Sequence, residues 1–241
     1  MTDVTTTLVL VWHVVYSGSY RPNSEKTFAD IKRRLRLHLK PELGALVEDW
    51  VRDAQRRIED KLRISAMEHI KEDATIAEGV NVIPIPSDYL EPIELYVIDN
   101  DQRVPLYDRH QIRKFLNTFP SVSTDNTGRP VVFTRVGDKF QLDKYTDKEY
   151  EYGLAYYRRF ITLIEEDDSN WWTEQRSDLL FYASLVEAIP FVGKDERIPL
   201  WIAKKQELIE DIELQDKKER RAGNGNALNP INVFLSNNNR R

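Results

Sequence analysis

The chain has 241 residues, 41% hydrophobic and 31% charged, which suits one folded body or a core with an inserted subdomain. It contains no cysteine, so disulfides, thiolate metal sites and a cysteine nucleophile are excluded, and a reducing cytosol is the expected place of synthesis. A net charge of −5 disfavours a general nucleic-acid coat while leaving room for a local basic patch.

Thr5 to Tyr16 is β-branched and aromatic and is predicted to be a strand or an extended arm. Its apolar run, Leu8 to Tyr16 with His13 inside it, is far shorter than the ~20 residues of a membrane helix, so no membrane partner is expected. The residues before it hold Asp3 and no Lys or Arg, unlike the start of a secretory signal. Ser17 to Lys26, with Gly18, Pro22 and Asn23, reads as a linker. Thr27 is placed to cap a short helix carrying Phe28, Ile31, Leu35 and Leu39 on one face and ended by Pro41. A long amphipathic helix is predicted over 43–70. Its stripe runs through Leu43, Leu46, Val47, Trp50, Val51, Ala54, Ile58 and Leu62, with Glu48, Asp53, Arg56, Arg57, Glu59 and Lys61 opposite.

After Gly79 the period shortens. Val80 to Pro86, Ile93 to Ile98 and Arg103 to Tyr107 are β-type runs, and Asp99-Asn100-Asp101 is a turn signal between the last two. His110 to Phe119 returns to helical spacing, and Ser121 to Arg129 is a polar loop. Pro130 to Val136, Lys139 to Asp143 and Tyr150 to Arg158 are predicted strands, the first two joined by a hairpin at Gly137-Asp138. Leu179, Leu180, Ala183 and Val186 line a further helix. Asp195 can cap the next, which tolerates Pro199 in its first turn and turns Trp201, Ile202, Leu208, Ile209 and Ile212 inward. From Gly223 the chain is polar and low in complexity.

Helices, then strands, then helices predict an α+β fold, mainly helical. Its helical core packs the long helix 43–70 against helices near 174–190 and 195–221, with an inserted small antiparallel β subdomain and an extended C-terminal tail. The expected divisions are an arm over 1–26, the first half of the helical core over 27–78, the β subdomain over 79–160, the second half of the core over 161–222, and a flexible docking tail over 223–241.

The residues point away from catalysis. His13, His38, His69 and His110 have no metal-motif spacing, and neither a phosphate-binding glycine loop nor a GxSxG elbow is present. No enzyme activity, cofactor or metal is expected. Glu165, Glu166, Asp167 and Asp168 could supply the carboxylate pair of a cell-wall glycan hydrolase, but four consecutive acids read more simply as a solvated loop before a helix N-terminus. Lys32, Arg33, Arg34, Arg36 and Lys40 could contact phosphate in a DNA-binding protein. They also fit the wet face of a helix or a surface meeting another subunit. In the tail, Ile231, Val233, Phe234 and Leu235 form an apolar cluster suited to docking on a partner.

An ordered set of pieces carries a resemblance. It comprises Thr27-Phe28, the run Val47, Trp50, Val51, Ala54, Gln55 and Ile58, then Ile83-Pro84-Ile85-Pro86-Ser87-Asp88-Tyr89 followed by Ile93 to Val97. Gly128-Arg129-Pro130, Tyr156-Tyr157 and Asn170-Trp171 come next, then Ser177 to Ala188, Phe191-Val192, Asp195, Arg197 and Trp201. In this order they resemble the head-to-tail adaptor (head completion or neck connector) proteins of tailed bacteriophages, especially short-tailed ones. Ser177 stands where such sequences often carry Pro, and residues 1–26 have no counterpart. The resemblance implies a virion protein of the neck, made in the bacterial cytoplasm. It implies a ring, usually of twelve copies, beneath the portal protein, extending the DNA channel after packaging and offering a platform for tail or nozzle proteins. DNA would pass without specific binding, and the C-terminal segment would anchor along the portal.

Overall fold

The computed structural model describes residues 27–120 and 126–225. The predicted arm over 5–16 and the tail residues Ile231, Val233, Phe234 and Leu235 lie outside the described residues. The chain forms two compact units. One takes the chain up to Lys61 and again from Ile161 onward, and the other is Leu62–Phe160.

In the helical unit, α1 spans Phe28–His38 and α2 spans Val47–Lys61, joined through a 3-10 turn at Pro41–Leu46. Thr27 begins α1 with a capping box: its hydroxyl accepts from the Asp30 amide, and its own amide donates to the Asp30 carboxylate. Helix α3, Ile112–Thr118, belongs to the other unit, and the chain returning at Ile161 supplies the short helix Trp171–Gln175 and the helices Ser177–Val192 and Ile198–Gly225; these three are α4, α5 and α6. Val47, Val51, Ala54 and Ile58 from α2 and Leu179, Leu180, Ala183 and Ala188 from α5 are all buried, and α6 adds Trp201 and Ile212.

The β unit holds two four-stranded sheets. Its strands are β1 Glu68–Ile76, β2 Val82–Pro84, β3 Tyr89–Asp99, β4 Gln102–Pro105, β5 Tyr107–Asp108, β6 Val132–Val136, β7 Lys139–Leu142 and β8 Tyr150–Arg158, with helix α3 over Ile112–Thr118. The first sheet has the order β1-β8-β3-β4 and is antiparallel throughout. The second has the order β2-β7-β6-β5, and its β5–β6 pair is parallel. Both sheets contribute to one core, in which Leu95, Val97 and Leu154 meet Phe133, Phe140 and Leu142. Asn100 and Asp101 take positive φ in the tight turn from β3 to β4, and Gly137 does so between β6 and β7. Buried polar groups at the sheet corner are satisfied. The Asp143 carboxylate accepts from the Val131 and Val132 amides, and the Thr146 hydroxyl donates to Ala77 O and accepts from Val80 N.

The expectation of a mainly helical chain with a small antiparallel insert is corrected. About 46% of the chain is helix and 25% is strand, in two multistranded sheets, so the β part is a unit with its own core. The main source of the error lies in 43–70. Helix α2 ends at Lys61, and β1 starts at Glu68 after a 3-10 turn at Ser65–Met67. The buried positions after Leu62 are Ile64 and Met67, which leave the helical step. From Glu68 to Lys71 burial alternates residue by residue, as a strand on a sheet requires. A parallel β5–β6 pair was also invisible, because Tyr107–Asp108 is only two residues long and its partner follows α3 and a loop.

Gly153 faces Tyr96 across the β3–β8 pair, and a Cβ there would run into the Tyr96 ring, which also carries the Arg103 guanidinium on its face 3.8 Å from the centroid. Gly153→Ala is expected to displace that ring and to destabilise the protein by about 1–3 kcal/mol. Urea denaturation of the two proteins checks this; equal midpoints would show that the ring moves freely.

Candidate assembly surfaces

The basic stretch on α1 does not form one surface. Lys32 points inward, only 1% exposed, with its ammonium 2.8 Å from Glu48 Oε1, 2.5 Å from Glu166 Oε1 and 4.3 Å from the Phe28 ring centroid. Burial pulls the Lys32 pKa down, but hydrogen bonds to Glu166 and Glu48 and the charges of both carboxylates outweigh it, leaving the group above the ordinary lysine value. Arg33 pairs with Asp30 at 2.9 Å, and the Arg34 guanidinium lies 3.7 Å from the Phe181 ring centroid. Arg36 and Lys40 are exposed, with the apolar Leu37 80% exposed between them.

The acidic run serves the start of α1. The backbone carbonyls of Asp168 and Glu166 accept from the amides of Phe28 and Ala29, which open α1 and have no partner inside the helix. The Asp168 carboxylate accepts from the amides of Ile164 and Glu165, and these bonds hold it below the usual aspartate range. Glu166 meets Lys32. The same residues that invited a catalytic reading thus tie the returning chain to the first helix.

Beneath α4 lies a buried polar network. Asn170 caps that helix by accepting from the Trp172 and Thr173 amides and donates to Ile161 O and to Gln55 Oε1. The Glu59 carboxylate accepts from Trp172 Nε1 and Gln55 Nε2, each at 3.0 Å. The described histidines sit in unlike settings: His38 against Phe181, His69 against Tyr156, and His110 with its Nδ1 3.2 Å from Asp108. Among the described residues no group of three or more His, Asp or Glu side chains could hold a metal ion.

Several large apolar side chains are exposed among the charged ones. In the helical unit Ile161 and Ile164 flank the buried Leu163, while Phe191, Leu200, Ile202 and Leu214 are each at least half exposed. In the β unit Ile70, Ile93, Tyr107 and Leu116 are exposed, and a cleft of about 640 Å³ runs along one wall of β3. The cleft escaped the sequence reading because its two walls come from strands of different sheets; the free stretch of β3 had no signature of its own.

A chain with two separately cored units, charges engaged in holding its own halves together and apolar groups on both surfaces is of the structural class that works by assembly. Its relatives specify which. The family model of the SU10 adaptor protein matches residues 26–230, and the chain belongs to that family. It is a structural head-to-tail adaptor of a tailed bacteriophage, a component of the virion neck that associates with portal and tail components. No curated protein matches the chain.

Glu48 is held below the ordinary glutamate value, first by the hydrogen bond from Lys32. Its contribution to stability is therefore full above the ordinary value of 4.5 and is lost as pH falls through its folded value. Lys32→Ala is expected to cost about 3 kcal/mol at neutral pH, and the gap from the parent chain should narrow in acid. Glu166 is 64% exposed, so Glu166→Gln should cost at most ~1 kcal/mol. Urea titrations at neutral and acid pH measure both; a Lys32→Ala gap that does not change with pH would remove Glu48 from the account.

Proposed function

We propose that copies of this chain close into a ring of twelve beneath the portal, extend the DNA channel and present a platform for tail or nozzle proteins. The carrying observation is the family match over 26–230, which takes in both units and continues past Gly225, the end of α6, into the tail. In this reading the chain is made in the host cytoplasm, and Ile231, Val233, Phe234 and Leu235 dock on the portal as apolar anchors. A ring of identical subunits needs two different lateral surfaces that close on themselves. Exposed Phe191, Leu200, Ile202 and Leu214 in one unit and Ile70 in the other are candidates for them.

A subunit of net charge −5, repeated round a ring, would give the channel little attraction for DNA that must slide through it. A basic contact to DNA would draw on Arg33, Arg36 and Lys40, since Lys32 is buried and Arg34 lies over Phe181.

Electron microscopy of purified portal mixed with the full chain, or with a chain lacking residues 224–241, tests the reading. The full chain should add a ring to the portal, and the shortened chain should leave most portals bare. Undiminished binding by the shortened chain would remove the docking role of the tail, and failure of the full chain to form rings would overturn the ring.

A further inference from the structure

The cleft in the β unit combines an apolar base with unpaired backbone. Residues Tyr89–Leu95 of β3 line one wall in unbroken succession, Tyr107, Asp108 and His110 line the other, and the buried Leu106, Phe133 and Phe140 lie at its base. Strand β8 covers one side of β3 along its whole length. On the other side β4 pairs only with Tyr96–Asp99, and Leu106 N reaches Leu95 O. Among the described residues no strand pairs with residues 90–94 on that side. The opposite wall, β5, is the outer strand of its own sheet. A cleft bounded by two strand edges, with a volume inside the ~300–1,000 Å³ range of binding sites, suits an extended peptide.

The chemistry of the walls selects the occupant. The same edge of a second copy is disfavoured, because it would set Glu91 and Glu94 against their counterparts. Thr5 to Tyr16 fits instead. It has no Asp, Glu, Lys or Arg, no Gly and no Pro, and its β-branched and aromatic residues suit a strand that can cover Ile93 and Tyr107, which are 47% and 68% exposed. It lies outside the family match, which begins at residue 26, so the family assigns it no role. The ten residues of the linker 17–26 can span up to ~33 Å.

We propose that residues 5–16 of one copy add as a strand to the free stretch of β3 in a neighbouring copy, filling this cleft and linking subunits head to tail. The source of the arm, a neighbouring copy, rests on the assembly reading above; the fit of arm to cleft does not.

Because the chain has no cysteine, the contact can be trapped in full-length protein. Val11→Cys and Ile93→Cys variants carrying different tags are mixed, with and without portal, and treated with a short bis-maleimide. Leu116→Cys, equally exposed at 47% but outside the cleft, replaces Ile93→Cys in the control. The expected result is a cross-link between chains with Ile93→Cys, several-fold stronger than with Leu116→Cys, with circular dichroism of every variant unchanged. Adding Val9→Asp to the arm should weaken the link. Equal capture by both positions, no link between chains in either condition, or a link formed only within one chain of the Val11→Cys, Ile93→Cys double variant would each overturn the proposal. Microscopy of the same samples separates the two readings: rings without the cross-link leave the ring standing and remove the arm, and the cross-link without rings does the reverse.

Discussion

The helical unit is built from two stretches of chain with residues 62–160 between them, and one buried ammonium joins the two. Lys32 from α1 reaches Glu48 on α2, close in sequence, and Glu166 on the returning chain, far from it. Desolvating a lysine is costly unless its charge is met, and here two carboxylates meet it while keeping part of their own surface in water. The arrangement therefore favours a single geometry, with α1, the start of α2 and the loop before α4 all in register. Arg52 repeats the link from α2 by donating to Leu163 O, and the amides opening α1 repeat it through Glu166 and Asp168. Gln55, Glu59 and Asn170 extend it inward to Trp172.

This closure gives the β unit its freedom of design. Its strands begin and end next to the helical unit in sequence, but its core is its own, drawn from both sheets. A unit that folds around its own core can vary its edges and clefts without loosening the helices. In the proposed assembly that separation would let one part hold neighbouring copies while another meets partners of different shape.

Much of this was legible in local sequence. Thr27 announced the start of α1 and Gly137 the β6–β7 turn, because caps and tight turns are short-range chemistry. Ser177, which departs from the family's frequent Pro, opens α5 at the first helical position, where an amide has no partner and Pro is well tolerated. What local pattern could not resolve was the change of period after Leu62: buried Ile64 and Met67 prolong an apolar stripe by composition while the backbone leaves the helix. Pairings between distant segments, such as β5 with β6 or Lys32 with Glu166, have no local signal at all.

The five cations between Lys32 and Lys40 show why charge counted along a sequence misleads about partners. Spaced on a short helix, they look like a phosphate footprint. A helix has more than one face, however, and a lysine at a position that packs against α2 must either find acids or unfold the corner. Once Lys32 is neutralised internally and Arg34 rests on Phe181, what is left for solvent is a thin cationic edge broken by Leu37. Counterion release scales with the number of phosphates met at once, so two or three scattered cations give weak, salt-sensitive attraction. In the ring proposed above, through which DNA would pass, weak attraction would be the useful outcome: charge that could grip nucleic acid is instead spent inside the subunit, where Lys32 joins the two stretches of the helical unit.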